Sequence, residues 1–360
     1  MTPLAARLLD EIRQEGPITI ARFMQACLFD PLHGYYSTQP RLGGGEGDFL
    51  TAPETSQMFG ELLGLWCAYE WTQMGAPDPF YWIELGPGRG ALMADAWRAT
   101  RVAPGFQTAA RLYQIDPSRP LRRLQAESLA KVGAIGTWVD ALDEVPQGPT
   151  LLLANEVLDC LPIRQFVTTP NGWCERLVGE AQSALGFGLS HPLPIPKAEN
   201  APDGWWREIA EGADAFLSPL AARLSANPGR ALFLDYGYAD PEGADTLQAL
   251  RRHEKLHPLD APGESDLTAQ VDFTAIAGLA EGHGLRTDGP LGQGAFLQAL
   301  GIAERAAALA QKNPARQERL GRELNRLIAP DQMGALFKAL CLSSPDRATP
   351  AGFPPKAPLA

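Results

Sequence analysis

Histidine and cysteine are scarce in this chain, five of each in 360 residues. The cysteines Cys27, Cys67, Cys160, Cys174 and Cys341 are scattered and form no C-x-x-C pair, which removes the usual zinc and redox signatures. His33, His191, His253, His257 and His283 contain no H-E-x-x-H, so a metal site has no motif behind it. No apolar run reaches the roughly 18 residues needed to cross a bilayer, and an integral membrane segment is not expected. An excess of positive charge is missing too. Lys and Arg number 31 against 42 Asp and Glu, a formal net charge of −11, which is the wrong sign for a surface that tracks phosphates, so nucleic acid is not the expected partner. The first residues carry Asp10, Glu11 and Glu15 with no continuous apolar block. That fits neither a secretory signal nor an acid-poor transit peptide, and the expectation is a cytosolic protein.

What the chain does have is apolar residues, 45% of the total, enough for one large α/β domain with appendages. Leu4, Leu8, Leu9 and Ile12 recur at helical spacing and predict a helix over Pro3 to Arg13, with a second from Thr19 to Cys27. Asp30 to Asp48 is rich in Gly, Pro and Tyr, and Gly43-Gly44-Gly45-Glu46-Gly47 offers too little side chain to pack, so a mobile loop is expected. A long helix is predicted from about Glu54 to Met74, burying Phe59, Leu62, Leu63, Trp66 and Tyr69.

Short apolar runs then alternate with helical ones: Tyr81 to Leu85, Leu112 to Ile115, Leu151 to Ala154 and Ala231 to Leu234. This pattern predicts an α/β fold with a doubly wound, mostly parallel sheet. Gln165 to Trp206, with Pro170, Asn171-Gly172 and the proline-rich His191 to Pro196, reads as a hairpin-bearing insertion that acts as lid or docking arm. The predicted organisation is an N-terminal helical segment over 1–78 and a main domain over 79–343, with C-terminal helices over 301–343. The tail, 346–360, has four prolines and little to bury, and is expected to be disordered.

The most informative segment is Glu84-Leu85-Gly86-Pro87-Gly88-Arg89-Gly90, where a strand ends in an acid and turns through three alternate glycines that let bare backbone approach a ligand. With Ala91 it also satisfies the dinucleotide pattern G-x-G-x-x-A, so an NAD-dependent oxidoreductase is a rival reading. Glu84, able to meet an ammonium group, and Pro87 favour S-adenosylmethionine. Asp116 ends the next strand, where an acid accepts hydrogen bonds from ribose hydroxyls; alternatively Asp116-Pro117-Ser118 is a turn into a helix. Asn155-Glu156-Val157-Leu158-Asp159 falls at another carboxyl strand end, where ligands bind, though Asn155 as an N-cap with Glu156 and Asp159 as first-turn acids also fits. Thr51-Ala52-Pro53-Glu54 matches a capping box, and Asp235-Tyr236-Gly237-Tyr238 reads as an ordinary strand-end turn.

Together these segments resemble the MidA family of class I S-adenosylmethionine-dependent methyltransferases, whose mitochondrial relatives act in complex I assembly as protein arginine methyltransferases. The resemblance runs from Pro17 to about Leu340. It is carried most specifically by Gly47 to Gly60 and by Asp266-Leu267-Thr268-Ala269-Gln270-Val271-Asp272-Phe273, beside Gly34-Tyr35-Tyr36 and Gln293-Gly294-Ala295-Phe296-Leu297. It implies that Gly86, Gly88 and Gly90 line the methionine part of the cofactor, that Asp116 holds the ribose, and that Asp140 contacts the adenine. Thr51, Pro53 and Glu54 would close the site, with Asn155 beside the cofactor. It further implies a protein substrate, an arginine of a complex I subunit, threaded against Glu156 and Asp159. Three positions depart from the family pattern: Asp116 begins Asp-Pro-Ser-Arg rather than Glu-x-Ser-Pro, Gln270 replaces a His, and Gly292 replaces a larger residue. A non-catalytic assembly chaperone that merely binds S-adenosylmethionine is the other reading.

Overall fold

The computed structural model describes residues 1–38, 51–194 and 201–355. Its centre is an eight-stranded sheet. We number its main strands β1 (Phe80–Leu85), β2 (Ala110–Ile115), β3 (Gly136–Val139), β4 (Thr150–Asn155), β5 (Gly229–Tyr238), β6 (Arg286–Gly292) and β7 (Phe337–Ser343). Their spatial order is β6-β7-β5-β4-β1-β2-β3, and Val271–Asp272 adds a short parallel pairing at the end of β5. Strands β1 to β5 run parallel to one another, whereas β7 runs antiparallel to both β5 and β6. The order reverses direction at β1, so the carboxyl ends of β1 and β4 flank a crevice, the place where such sheets bind ligands.

The unbroken apolar run Leu151-Leu152-Leu153-Ala154 is buried on both faces because helices cover both. On one side lie α3 (Gln57–Gln73) and α4 (Ala91–Ala99), packing Phe59, Leu63, Trp66 and Met93 against Trp82 and Leu151. On the other lie the helices Ala213–Ala226 and Phe273–Gly282, whose Leu217, Leu224 and Ile276 pack on Ile83, Leu152 and Phe233.

Several expectations are corrected, among them the C-terminal helices over 301–343, whose last stretch, Phe337–Ser343, is strand β7 because its apolar run fills the sheet between β5 and β6. The long helix is broken at Ser56, which is extended and caps α3 by accepting from Met58 N at 3.4 Å; Ala52–Thr55 before it is a separate helical turn. Tyr69 is 52% exposed. The buried flank of α3 instead carries Glu61 and Glu70, the first paired with Arg98 and Arg305, the second with the buried Arg230 at 2.7 Å. A sequence reading assigns such acids to solvent, and only their distant partners permit burial.

The N-terminal segment, expected as one unit over 1–78, is divided between two cores. Thr2 caps α1 (Pro3–Glu15) and Thr19 caps α2 (Ile20–Phe29), at 3.1 Å each. These two helices pack Leu8, Phe23 and Met24 against Val178, Leu247 and Leu267, whereas α3 belongs to the central sheet.

The loop expected from Asp30 begins with packed residues: Tyr35 is fully buried, and Tyr36 donates to Asp266 at 3.0 Å. Its glycine run lies outside the described residues. The tail, expected to be disordered, packs through residue 355. Trp66 Nε1 donates to the Ala351 carbonyl at 3.0 Å, Arg230 donates to that of Ala348 at 2.7 Å, and Phe353 packs against Phe296 with the rings tilted by 45°. The buried Glu70–Arg230 pair supplies the reason, since the tail carbonyl and the Ala351 amide, which donates to Glu70 at 2.8 Å, complete its hydrogen bonding.

The insertion forms its own antiparallel sheet: Ile163–Thr169, Gly172–Ala181, Ala184–Leu189 and Trp206–Ala210, joined at one edge by Ile18–Thr19. The Asn171-Gly172 turn falls where the sequence places it.

Candidate active site

The end of β1 presents Glu84, 3% exposed. Burial pushes its carboxyl up to about 8, with the Asp116 charge adding to the rise and a hydrogen bond from Gln114 opposing it. Oε2 of Glu84 is buried without a hydrogen-bond partner. A buried carboxylate oxygen without a donor is costly unless something cationic meets it. The three glycines that follow all take left-handed backbone, φ +64°, +51° and +79°. At Gly88 a Cβ would meet nothing, because the position opens into the cavity. At Gly90 it would come within 2.9 Å of Gln125 Cα, so Gly90 serves the packing of the loop on α5 (Arg119–Lys131).

At the end of β2, Asp116 forms the turn that the sequence allows and keeps acceptor capacity facing the crevice. Its Oδ1 accepts from Ser118 N at 2.8 Å, forming the turn into α5, and its Oδ2 accepts from Gln125 Nε2 at 2.6 Å. Each carboxylate oxygen keeps a second lone pair for a hydroxyl. Gln125, fully buried, was not marked by any motif, yet it is the brace of this half of the site. Its Nε2 also donates to the Gly88 carbonyl at 2.9 Å, and its Oε1 accepts from Trp138 Nε1 at 2.7 Å. One side chain thus fixes glycine loop, strand end and α5 together. Asp140 stands at the rim, 71% exposed on its side chain and ion-paired with Arg122.

The end of β4 is built differently. No helix follows Asn155, so the N-cap reading does not hold. Glu156 instead adopts φ +53°, an uncommon conformation for a non-glycine residue. Asp235, expected in a strand-end turn, lies within β5 with 1% exposure, and its Oδ2 accepts from three consecutive amides, Val157, Leu158 and Asp159, at 2.9, 2.8 and 3.2 Å. That clamp holds the loop and the left-handed residue before it. Glu156 Oε1 accepts from Asn155 Nδ2 at 2.9 Å and from Ala52 N at 3.4 Å. Burial pushes Glu156 up to about 7, and the Asp159 charge adds to the rise. Asn155 Oδ1 is buried without a partner.

These ends surround a cavity of about 770 Å³. Of the residues singled out in the sequence, Thr51, Pro53, Glu54, Glu84, Gly86, Gly88, Asp116, Asp140, Asn155 and Glu156 line it, and Gly90 and Asp159 do not. Asp159 turns behind the loop to the Tyr236 hydroxyl, because the Asp235 clamp directs the loop amides inward; burial raises its carboxyl as well. The Thr51–Glu54 capping box is not formed. The Thr51 side chain makes no cap bond, its carbonyl accepts from Glu54 N at 3.1 Å, and Glu54 lies 4.0 Å from Arg89 at the cavity rim. Tyr36, to which no role was given, also lines the cavity.

The donor set fits S-adenosylmethionine. The unpartnered Glu84 oxygen suits its ammonium, Asp116 its ribose, and the bare backbone at Gly88 its close approach. A doubly wound sheet with this crevice and these strand-end acids is the architecture of an S-adenosylmethionine-dependent methyltransferase. Residues 62–291 match the family model of S-adenosyl-L-methionine-dependent methyltransferases. The chain belongs to that family, in the MidA-like group that includes NDUFAF7. The mitochondrial protein arginine methyltransferase NDUFAF7 of Danio rerio is 35% identical, over 92% of this chain and 84% of that protein. That of Homo sapiens is 33% identical, over 95% and 83%. A Burkholderia thailandensis methyltransferase-like protein, crystallised with S-adenosyl-homocysteine, is 29% identical and superposes with a TM-score of 0.86 over 97% of this chain and 94% of its own.

Proposed function

We propose that this enzyme is a cytosolic protein arginine N-methyltransferase that modifies a subunit of NADH:quinone oxidoreductase during its assembly. The observation that carries the arginine assignment is Glu156, a carboxylate lining the same cavity as the glycine loop, in a chain whose relatives are named protein arginine methyltransferases.

S-adenosylmethionine, when bound, supplies an electrophilic methyl group. The rest falls to the protein. A guanidinium is always charged at neutral pH and is a poor nucleophile until a carboxylate orients it and draws its charge away from the attacking nitrogen. Glu156 holds the guanidinium and takes the proton that the attacking nitrogen loses as its new bond to carbon forms and the carbon–sulfur bond breaks. Asp159 acts from behind the loop, through its charge on Glu156. Holding the reacting atoms about 3 to 3.5 Å apart supplies much of the acceleration.

The reading is tested by mass spectrometry of complex I from cells with and without the gene. A methylated arginine on the large quinone-site subunit that disappears with the gene is the expected result. An unchanged subunit would contradict the complex I assignment. Loss of the mark in cells carrying Glu156→Gln separates catalysis from the chaperone reading.

A further inference from the structure

Glu84 suits the ammonium of the cofactor and Asp116 its ribose, but an α-amino acid also carries a carboxylate, bonded to the same carbon as the ammonium. That anion must come to rest close to the group that Glu84 meets, inside a cavity lined by five acids. Without a cation beside it, it would be repelled. Among the described residues two cations line the cavity, Arg89 and Arg119.

Their places in the fold choose between them. Arg119 opens α5, just beyond Asp116, on the ribose side. Arg89 belongs to the loop that leaves β1 directly after Glu84, between Gly88 and Gly90. The backbone of that loop is fixed. Gly86 N donates to the Ile115 carbonyl at 3.1 Å, Gly90 N to that of Pro87 at 2.7 Å, and the Arg89 carbonyl accepts from Ser128 Oγ at 3.0 Å. The guanidinium is not fixed. Among the described residues it makes no hydrogen bond, and its ion-pair contact is Glu54 at 4.0 Å, the far limit of such a pair, with the Arg89 side chain 43% exposed. An anchored backbone that carries an uncommitted guanidinium suits a carboxylate, because the planar fork can meet both oxygens at once. Glu54 then acts as a competitor for Arg89. It stands on the turn Ala52–Thr55, whose Ala52 amide also donates to Glu156.

We infer that Arg89 receives the carboxylate of S-adenosylmethionine, exchanging its loose pairing with Glu54 for a two-pronged one with the cofactor. Only the cofactor is involved, so the identity of the methyl acceptor does not bear on this role. Three ligands test it by calorimetry on the full-length enzyme: S-adenosyl-homocysteine, its decarboxylated form, which keeps the ammonium, and methylthioadenosine, which lacks the whole amino-acid end. The contact of Glu84 with the ammonium is common to the first two and cancels in their comparison.

The wild type is expected to prefer S-adenosyl-homocysteine over its decarboxylated form by about tenfold, in the range of one charge-assisted pair at a half-exposed site. Arg89→Ala should lose that preference and bind the two about equally. It should still bind methylthioadenosine as the wild type does, which shows that the adenosine half of the site is folded. Arg89→Gln, uncharged and closer in length, should lose the preference as well, and it decides the matter if the alanine variant is unstable. Glu54→Gln removes the competitor and should widen the preference a few-fold. A preference kept in full by the Arg89 variants would assign the carboxylate to the loop amides and overturn the inference, as would a wild type without any preference. A preference unaltered in Glu54→Gln contradicts the exchange.

Discussion

The carboxyl ends of β1 and β4 make an instructive pair. Both deliver a glutamate to the same cavity, Glu84 buried and Glu156 half-buried, and desolvation raises both, Glu84 to about 8 and Glu156 to about 7. Glu84 sits in regular strand, and its spare oxygen has no donor from the protein. Glu156 sits beyond the strand on a left-handed residue, with one oxygen held by Asn155 and Ala52 and its loop clamped by Asp235. The first keeps an oxygen without a protein donor, which suits a cation. The second is held in an unusual conformation from two sides, the arrangement expected of a group whose aim matters. On the function proposed above, two acids at equivalent strand ends are divided between binding and chemistry by what surrounds them.

The largest effect should come from Glu156→Gln. Single-turnover methyl transfer should fall about a hundredfold or more, in the range of a lost general base, while calorimetry shows S-adenosyl-homocysteine binding nearly as before. Because Glu156 must be ionised to take a proton, the transfer rate of the wild-type enzyme should rise with pH through about 7 and then level off. A rate flat across that range would remove the proton-accepting role.

Glu84→Gln should show the opposite split: cofactor affinity about ten- to a hundredfold weaker, the loss of one buried charge-assisted contact, with turnover at saturation largely kept. The sign with pH follows. Glu84 is mostly protonated below about 8 in the free enzyme and must be ionised to pair with an ammonium, so binding releases a proton. Affinity should therefore increase with pH up to about 8 in the wild type, and this slope should vanish in the variant.

Asp235→Asn sharpens the contrast from behind. It leaves the cavity lining intact but weakens the acceptor for three loop amides. Turnover should drop about tenfold with cofactor affinity retained, the signature of a residue that positions Glu156. Gln125→Ala, on the other side, should cost about 1–3 kcal/mol of stability in chemical denaturation. It should also weaken cofactor binding a few-fold, because it frees both the glycine loop and Asp116. Equal damage to turnover at saturating cofactor would blur the division.

The β1 half of the site was legible in the sequence because its signal is local: an acid, three alternate glycines and a second acid one strand later are fixed by the chain's own spacing. The braces were not. Gln125 is a polar residue within a helix pattern, and nothing in its neighbourhood says that it spans to Gly88 and Trp138. Asp235 looked like the end of a strand because its three donors come from about 77 residues away. Asp159 looked equivalent to Glu156, and only the left-handed turn, which places the two on different sides of the loop, distinguishes them. The tail misled for the same reason. Four prolines suggest disorder, but the hydrogen bonds that hold it are owed to a buried ion pair on α3 and β5.

The division between the two strand ends is tested most directly by one paired experiment. Glu84→Gln and Glu156→Gln would each be titrated with S-adenosylmethionine against an arginine peptide, reading cofactor affinity and the single-turnover rate at saturation on the same samples. Opposite splits are predicted: a weakened affinity with near-normal rate for the first, a collapsed rate with near-normal affinity for the second. Variants that lose both quantities in parallel, or a Glu156→Gln enzyme that transfers methyl at the wild-type rate, would contradict the account.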